Sequence, residues 1–339
     1  MHEFCQLEKI LQEKLIHEEK NNLLAYYGIA RDYLFNNIYP EIKSKLPEYT
    51  YHDGSHVINV LNCLHKLLDT NLEKISPVVL YFLCLSILFH DVGLIFGREN
   101  HQKNITEIYN RVRGIENIQN FANERVIITK TIEAHTGFAP DNSRDTIKYL
   151  GDCIGYDEII NTKEIAAMIR FADELAEGGH RTSDFFLENG MYHEESKIFH
   201  WYSKSYQSAI SPRDNRLAIT YNIIFNINAS NELIIDQDIK LEEFLTFIYK
   251  RLIKLDDERK YCRYYCLWLE AIKEISVTFN FWYNDDHIEI GLAPIILSDK
   301  IVPGETKRKL EDAFPDYTYA DIDNILRVKI NTIPTGVSI

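Results

Sequence analysis

The chain has 339 residues, of which 45% are hydrophobic and 26% are charged, so it can form one large folded domain or two of ordinary size. Its formal net charge of −14 disfavours general binding to nucleic acid or to an anionic membrane, because an acidic surface repels both. A small phosphorylated substrate stays compatible with this charge, because one bound cation or a local Arg/Lys cluster reverses the potential inside a pocket.

The six cysteines include no CxxC pair. Cys262 and Cys266 are one helical turn apart, which is compatible with a metal clip, but no histidine or cysteine partner lies near them in the sequence, so two packed thiols are favoured. We expect neither a signal peptide in the first residues nor an apolar run long enough to span a bilayer. These features predict a cytoplasmic protein with reduced cysteines and no membrane partner.

Apolar residues at helical spacing predict a first helix over residues 3–38, and Pro40 and Pro47 predict a break and a loop after it. A second helix follows, with Asp53 or Ser55 as its cap. The Ser76-Pro77 pair begins a third helix that is apolar all round up to Phe89, so we expect it to be the central buried helix. Further helices are predicted over residues 101–112, 121–135 and 162–177, with an irregular segment over 141–162.

The character changes after the pair Gly178-Gly179. Short segments rich in Ile, Phe, Tyr and Trp predict a small antiparallel sheet over residues 198–204, 216–226 and 232–239, with a turn at 228–231. A helix over 240–260, a segment over 267–281 that turns strand-like, a strand over 287–296 and a short helix over 304–314 complete the chain. The predicted fold is mainly α, with a helical part over 1–182 and a smaller C-terminal α+β part over 183–339 that packs on it.

The strongest functional signal is the pair His90-Asp91, which ends the apolar run YFLCLSILF. A histidine beside an aspartate at the end of a buried helix is costly to build for packing alone, and both side chains can bind one metal ion. The alternative is a capping aspartate and a histidine bonded to a backbone carbonyl. The metal interpretation is favoured because other ligand types lie on separate predicted helices, as in metal sites inside helical bundles.

His56 and Asp173 are two of these ligand types. Asp173 lies on the apolar helix IAAMIRFADEL, where a buried carboxylate requires either a cation or Arg170, three residues earlier. His101 and His135 either complete a second metal site or serve as acid and base. His56, by contrast, could be a histidine exposed or bonded locally in a helical first turn.

Six residues are candidates for contacts with a substrate. His52 belongs to a second His-Asp pair, which ranks below His90-Asp91 because it lies in a loop beside Gly54. His180 follows Gly178-Gly179 and is expected to fold over the pocket. The full set is His52, Arg98, Lys103, Arg170, His180 and Arg181. For each cationic member, a solvated surface charge is the alternative.

One or two divalent ions held by imidazole and carboxylate lower the pKa of a bound water and neutralise phosphate oxygens. The mixed ligands suit Mn, Fe, Ni, Co or Zn better than Mg, which remains compatible. The predicted metal ligands are His56, His90, Asp91, His135 and Asp173, and the predicted catalytic residues are Asp91, His101 and His135. Neither GxSxG nor a phosphate-cradling GxxxxGK[ST] or GxGxxG loop occurs.

Three of these segments together resemble the HD superfamily of metal-dependent phosphohydrolases, over residues 47–182. YTYHDGSHVINVL is similar to its first motif, LFHDVG to its defining doublet and MIRFADEL to its last motif. The resemblance implies that His56, His90, Asp91 and Asp173 are the four ligands. His101 and His135 resemble the extra histidines of two-metal members, which include HD nucleases of CRISPR systems and HD phosphodiesterases.

The details are most similar to the HD domains of bacterial conflict systems called HD-CE, in which an Arg-x-x-His segment, here 98–101, and a His-Trp strand, here 200–201, follow the doublet. This resemblance implies a nucleotide phosphohydrolase acting on a phosphodiester or a triphosphate, including deoxynucleoside triphosphates. The expected partners are a nucleotide or single-stranded nucleic acid, and a second copy of the chain or a partner protein. The alternative is a catalytically weak sensor or scaffold in a defence or signalling complex.

Overall fold

The computed structural model of the protein describes residues 3–99, 101, 104–114, 121–299 and 309–332. The chain forms two compact units, the first comprising Met1–Ala176 with Arg259–Ala271 and the second Glu177–Glu258 with Ile272–Ile339. The sequence placed a single boundary at 182 and did not indicate that a segment near residue 265 returns to the first unit.

The first unit is helical around one central helix. Its helices are α1 (Gln6–His17), α2 (Asn21–Asn37), α3 (Tyr39–Lys45), α4 (Gly54–Leu68), α5 (Pro77–Phe89), α6 (Ile105–Arg113), α7 (Ala122–Glu133) and α8 (Thr162–Leu175). Helix α5 is buried along nearly its whole length and packs against α1, α2, α4, α7 and α8. The prediction of a central buried helix is thereby confirmed.

Local chemistry explains where these helices begin. The Ser76 hydroxyl accepts a hydrogen bond from the Val79 N–H at 3.2 Å, and Pro77 occupies the first turn of α5, where its missing N–H has no cost. Helix α4 is capped by Asp53, whose Oδ1 accepts from the Ser55 N–H at 2.9 Å. Of the two predicted caps, the carboxylate is therefore the one used.

Three local predictions for the first unit are wrong. The helix predicted over 3–38 is interrupted between α1 and α2, where Glu19 adopts a φ of 57°. Pro40 does not break the helical pattern but lies in the first turn of α3, a position that proline tolerates. The segment over 141–162 contains a hairpin of β1 (Cys153–Gly155) and β2 (Glu158–Ile160), besides a 3-10 turn at Ile147–Tyr149.

The second unit combines helices with two sheets. Its helices are α9 (Asp184–Glu188), α10 (Glu194–Ser205), α11 (Leu241–Tyr265, of which the part up to Glu258 belongs here), α12 (Leu310–Ala313) and α13 (Tyr319–Ile330). Its strands are β3 (Tyr206–Ser211), β4 (Arg216–Ile224), β5 (Asn226–Ile227), β6 (Leu233–Asp236), β7 (Ile239–Lys240), β8 (Glu274–Tyr283), β9 (Asp286–Ile288) and β10 (Ile295–Ser298). The predicted mainly α fold with an α+β C-terminal region is confirmed.

The larger sheet has the order β10-β8-β4-β3, with β9 paired to β8. Its centre is parallel, because β4 and β8 pair in register from Arg216 opposite Glu274 to Ile224 opposite Trp282. The other pairs are antiparallel, as are those of the smaller sheet β5-β6-β7. The predicted turn lies between β5 and β6, where the Asn231 N–H donates to the Asn228 carbonyl at 2.9 Å.

Several predictions for the C-terminal part are wrong. Residues 198–204, which include the predicted His-Trp strand, lie inside helix α10, where the buried His200 and Ser203 follow helical spacing. Aromatic residues favour strands only weakly, and packing overrides this preference here. The strand predicted over 287–296 is interrupted between β9 and β10, and α13 forms where a polar segment was expected. Of the helix predicted over 304–314, residues 304–308 lie outside the described residues.

One helical stretch, Pro77–Phe96, is long and apolar enough by composition to cross a membrane, with a mean hydropathy of 2.2 over the most apolar window. No run of this length was expected from the sequence. The stretch contains α5 and the following 3-10 turn, and 89% of the window is buried inside the protein. Such burial is typical of the core helix of a folded domain.

Candidate metal centre

Four separate elements of the first unit deliver the predicted ligands. His56 lies in the first turn of α4, His90 and Asp91 directly follow α5, His135 follows α7, and Asp173 lies in the last turn of α8. Helix α5 packs against α4, α7 and α8, and α8 also packs against α4 and α7. Residues that lie more than 30 positions apart along the chain are therefore brought together around the end of the central helix.

The first group of ligand atoms comprises His56, His90 and Asp173. The Nε2 atom of His56 lies 3.0 Å from Oδ1 of Asp173, and the Nε2 atom of His90 lies 3.7 Å from the same oxygen. One possible ligand atom from each residue lies within 4.8 Å of the others. This geometry can hold one metal ion, and we call these three residues the first triad.

A second group comprises Asp91, His101 and His135, whose possible ligand atoms also lie within 4.8 Å of one another. The Nε2 atom of His101 lies 3.6 Å from Oδ1 of Asp91, and the rings of His101 and His135 are 6.0 Å apart between centroids. We call this group the second triad. Both extra histidines of the sequence analysis therefore lie together, on the Asp91 side of the doublet.

The two triads adjoin each other at Asp91. Its Oδ1 is the oxygen near His101, whereas its Oδ2 lies 3.1 Å from Nε2 of His90 and 3.8 Å from Nε2 of His56. The side chain is only 6% exposed. One carboxylate thus presents an oxygen to each group, which is the arrangement that lets an aspartate bridge two metal ions.

Three of the histidines are oriented in the same way, each by the backbone carbonyl three residues earlier. The Nδ1 atoms of His90, His101 and His135 bond the carbonyls of Ile87, Arg98 and Ile132 at 2.7, 3.1 and 2.5 Å. A carbonyl can only accept, so Nδ1 carries the proton and Nε2 is left as the ligand atom. Metal-binding histidines are held by such hydrogen bonds, which fix both the tautomer and the ring orientation.

A family model described as HD-CE matches residues 46–254, more than half of the chain. The chain belongs to the HD-CE family. No curated protein and no solved structure matches it. The match contains both triads and continues beyond residue 182, where the motifs of the sequence analysis ended, into the second unit of this HD-CE protein.

Burial and charge act against each other in the first triad of the HD-CE chain. Burial alone would lower the pKa of His90, but the negative charges of Asp91 and Asp173 raise it well above its ordinary value. Burial would raise the pKa of each carboxyl, but His90 lowers that of Asp91, and His56 with His90 lowers that of Asp173, far below the usual range. Both carboxylates are therefore ionised at neutral pH.

His135 differs from His90 because burial and a neighbouring positive charge outweigh the effect of Asp91 and Asp173 on its pKa. Burial and the positive charge of His90 lower its pKa to about 4. Its imidazole is consequently neutral at pH 7, which is the form that binds a metal ion. The second triad thus offers one buried neutral imidazole and one partly exposed one, since the His101 side chain is 18% exposed.

The residues of the first triad fit a divalent cation. The Nε2 atom of His90 is fully buried and faces the carboxylate oxygens of Asp91 and Asp173, yet makes no hydrogen bond with acceptable geometry. A cation among these atoms would satisfy the imidazole and both carboxylates at once. Imidazole with carboxylate is the ligand combination preferred by Mn, Fe, Co, Ni and Zn.

The predicted substrate contacts separate into those near the centre and those elsewhere. The ring of His52 lies 5.5 Å from that of His56, between centroids, and the backbone of Arg98 binds His101. Lys103 lies outside the described residues. Arg170 donates to the Thr146 hydroxyl at 3.3 Å and stacks on the Tyr261 ring, while His56 and His90 face the Asp173 carboxylate.

His180 and Arg181 belong to the second unit, in a 3-10 turn at Gly179–Arg181. Arg181 lies 3.4 Å from the Glu177 carboxylate. A role for these two residues in binding a substrate stays a prediction.

Tyr39, at the start of α3, supports the centre although no sequence pattern indicated it. Its buried hydroxyl donates to the Leu88 carbonyl at 2.5 Å, two residues before His90, and so holds the end of α5 in place. Burial and then the charge of Asp91 raise the pKa of Tyr39 well above its ordinary value, so the hydroxyl keeps its proton. The neighbouring Pro40 predicts a break in the helix. Nothing in the local sequence indicates the contact between Tyr39 and Leu88.

Proposed function

We propose that the protein is a two-metal phosphohydrolase that cleaves a phosphodiester or phosphoanhydride bond of a nucleotide. The observation that carries this proposal is the position of Asp91, with one carboxylate oxygen toward each triad. Paired divalent ions supply activation of water and neutralisation of phosphate oxygens. Membership of the HD-CE family supports the same assignment.

In this proposal the chain's own residues have distinct roles. The first triad would hold one ion, His101 and His135 would hold the other, and Asp91 would offer one carboxylate oxygen to each. His101 and His135 act as ligands rather than as acid and base, because each presents Nε2 toward the centre and uses Nδ1 for a backbone carbonyl. His52, half-buried beside His56, is the candidate to give a proton to the leaving oxygen.

Product analysis tests the proposal. The purified protein is incubated with Mn²⁺ and, in turn, deoxynucleoside triphosphates, ribonucleoside triphosphates, cyclic nucleotides and short single-stranded DNA, and the products are separated by chromatography. Nucleoside plus triphosphate would identify attack at the α-phosphorus, and monophosphates from a cyclic or oligomeric substrate would identify a phosphodiesterase. Asp91→Ala is the control, and any product that it forms at the parent's rate would contradict the assigned centre.

A second candidate is a sensor or scaffold that binds a nucleotide or metal and turns over slowly or not at all. The observation that favours it is that the metal centre and the larger sheets lie in different units of the described chain. Both triads lie in the first unit, whereas the second unit folds around its own sheets. If the unsubstituted protein binds metal but forms no product from any of these substrates, the result would support this candidate over hydrolysis.

A further inference from the structure

The guanidinium of Arg98 lies over the ring of Tyr49, 4.5 Å from its centroid. Both side chains reach solvent, with Tyr49 38% exposed. Pairs of this kind are common on protein surfaces, so the stacking alone indicates no ligand. The pair is informative because of the two chain segments in which its residues lie.

Each member of the pair comes from a segment that also delivers a histidine to the metal centre. The carbonyl of Arg98 accepts the Nδ1 hydrogen of His101, so the backbone of Arg98 is fixed against the second triad. Tyr49 lies three residues before His52, whose ring contacts His56 of the first triad. The pair therefore joins the loop before α4 to Arg98, and each of these two places in the chain has a neighbour in contact with one triad.

The chemistry of the pair suits a nucleotide. A guanidinium that stacks on an aromatic ring uses its face and leaves its N–H edge available for a phosphate. Other cations from the same region have partners of their own, since Lys43 pairs with Asp53 at 2.7 Å and Lys45 donates to the Ile95 carbonyl at 2.7 Å. A partly exposed tyrosine ring is the usual platform on which a nucleobase stacks.

We propose that Tyr49 and Arg98 form the nucleotide-recognition subsite of the metal centre, in which Tyr49 stacks with the base and Arg98 binds a phosphate. This inference rests on the proposed function and deepens it, because it selects nucleotides over other phosphate esters. Stacking tolerates any base, so the subsite accepts both purines and pyrimidines.

The test measures binding and needs no turnover. Calorimetric titrations of the Mn²⁺-loaded protein with AMP, CMP and ribose 5-phosphate compare two nucleotides with a ligand that lacks the base. We expect the parent to bind both nucleotides roughly tenfold more tightly than ribose 5-phosphate. Tyr49→Leu should remove this preference without weakening ribose 5-phosphate, and Tyr49→Phe should retain it. Arg98→Gln should weaken all three ligands by a similar factor.

Tyr264→Leu is the matched control, because Tyr264 is an exposed tyrosine of the same unit, 81% exposed, far along the chain from both loops. The inference is overturned if the parent binds none of the three ligands, if it does not prefer the nucleotides, or if Tyr49→Leu retains that preference. Hydrolysis without a base preference would leave the proposed function standing and remove only this subsite. If the protein shows a base preference that depends on Tyr49 but hydrolyses nothing, the subsite stands and the proposed function is contradicted.

Discussion

A methyl group at Gly93 would lie 1.9 Å from the carbonyl oxygen of His101. The backbone at Gly93 has a conformation that any residue adopts, so the contact alone demands glycine at this position. Gly93 lies two residues after Asp91, and Asp91 and His101 both belong to the second triad. The turn that follows the His-Asp doublet is therefore also the surface against which the second triad is assembled.

Gly93→Ala should displace His101 and reduce the bound metal from two ions per chain to one, with the first triad still occupied. The measurement is metal content by mass spectrometry after dialysis against Mn²⁺, together with circular dichroism to verify folding. Gly28→Ala is the control, because a methyl group there meets nothing within 4 Å. If Gly93→Ala does not fold, His101→Ala should give the same loss of one ion. Two ions in either folded variant would contradict the assignment of the second triad.

Removal of single ligands should separate the two ions. Asp173→Ala should abolish binding at the first triad, and His135→Ala should weaken the second ion more than the first. Asp91→Ala should weaken both, since its oxygens face both triads. Each substitution should lower the metal affinity by more than the 10–100-fold that is typical when a hydrogen-bond partner of a ligand is replaced. Metal titrations measure the two affinities, and Asp53→Asn, in the other His-Asp pair, is the control that should leave both unchanged.

The ligands were predictable because their chemistry contrasts with their surroundings. His90-Asp91 ends an apolar helix and Asp173 interrupts another, so both appear in the sequence as polar residues that burial would penalise. Helical spacing and the Ser76-Pro77 cap located α5 to within a residue or so. These signals are local, and a single sequence carries them.

The unpredicted features depend on contacts between distant segments. Tyr39 reaches Leu88 and Gly93 touches His101 only after the chain has folded, so no local pattern indicates them. The same is true of the parallel pairing of β4 with β8, because about 50 residues separate the two strands along the chain. The aromatic composition of α10 favoured a strand, and packing reversed that preference.

Metal binding at the first triad should release the proton that His90 carries at pH 7. The raised pKa of His90 leaves its Nε2 protonated in the metal-free protein, and a metal ion must displace this proton. His135, with a pKa of about 4, is already neutral and contributes none. Affinity should therefore rise with pH until the pKa of His90 is passed and fall as the solution becomes more acidic.

Calorimetric titration with Mn²⁺ in two buffers of different ionisation enthalpy measures this proton. The apparent binding enthalpies should differ between the buffers in proportion to the number of protons released, and His135→Ala should show the same difference for the first ion. Equal enthalpies in both buffers would mean that no proton leaves, and would contradict the protonated state assigned to His90.

The ion pair of Arg31 with Glu8 should contribute strongly to the stability of the first unit. The Nε atom of Arg31 lies 2.6 Å from Oε1 of Glu8, and their side chains are 2% and 0% exposed. Arg31→Met leaves a buried carboxylate without its cation, so we expect the free energy of unfolding to fall by about 3–5 kcal/mol in urea denaturation. The double variant Glu8→Leu/Arg31→Met should lose less than the sum of the single losses, because neither charge is then buried without its partner.

Arg111 pairs with Glu107 at 2.7 Å on the surface, and Arg111→Met should lower the free energy of unfolding by less than about 1 kcal/mol. Equal losses for Arg31→Met and Arg111→Met would show that burial adds nothing to the pair.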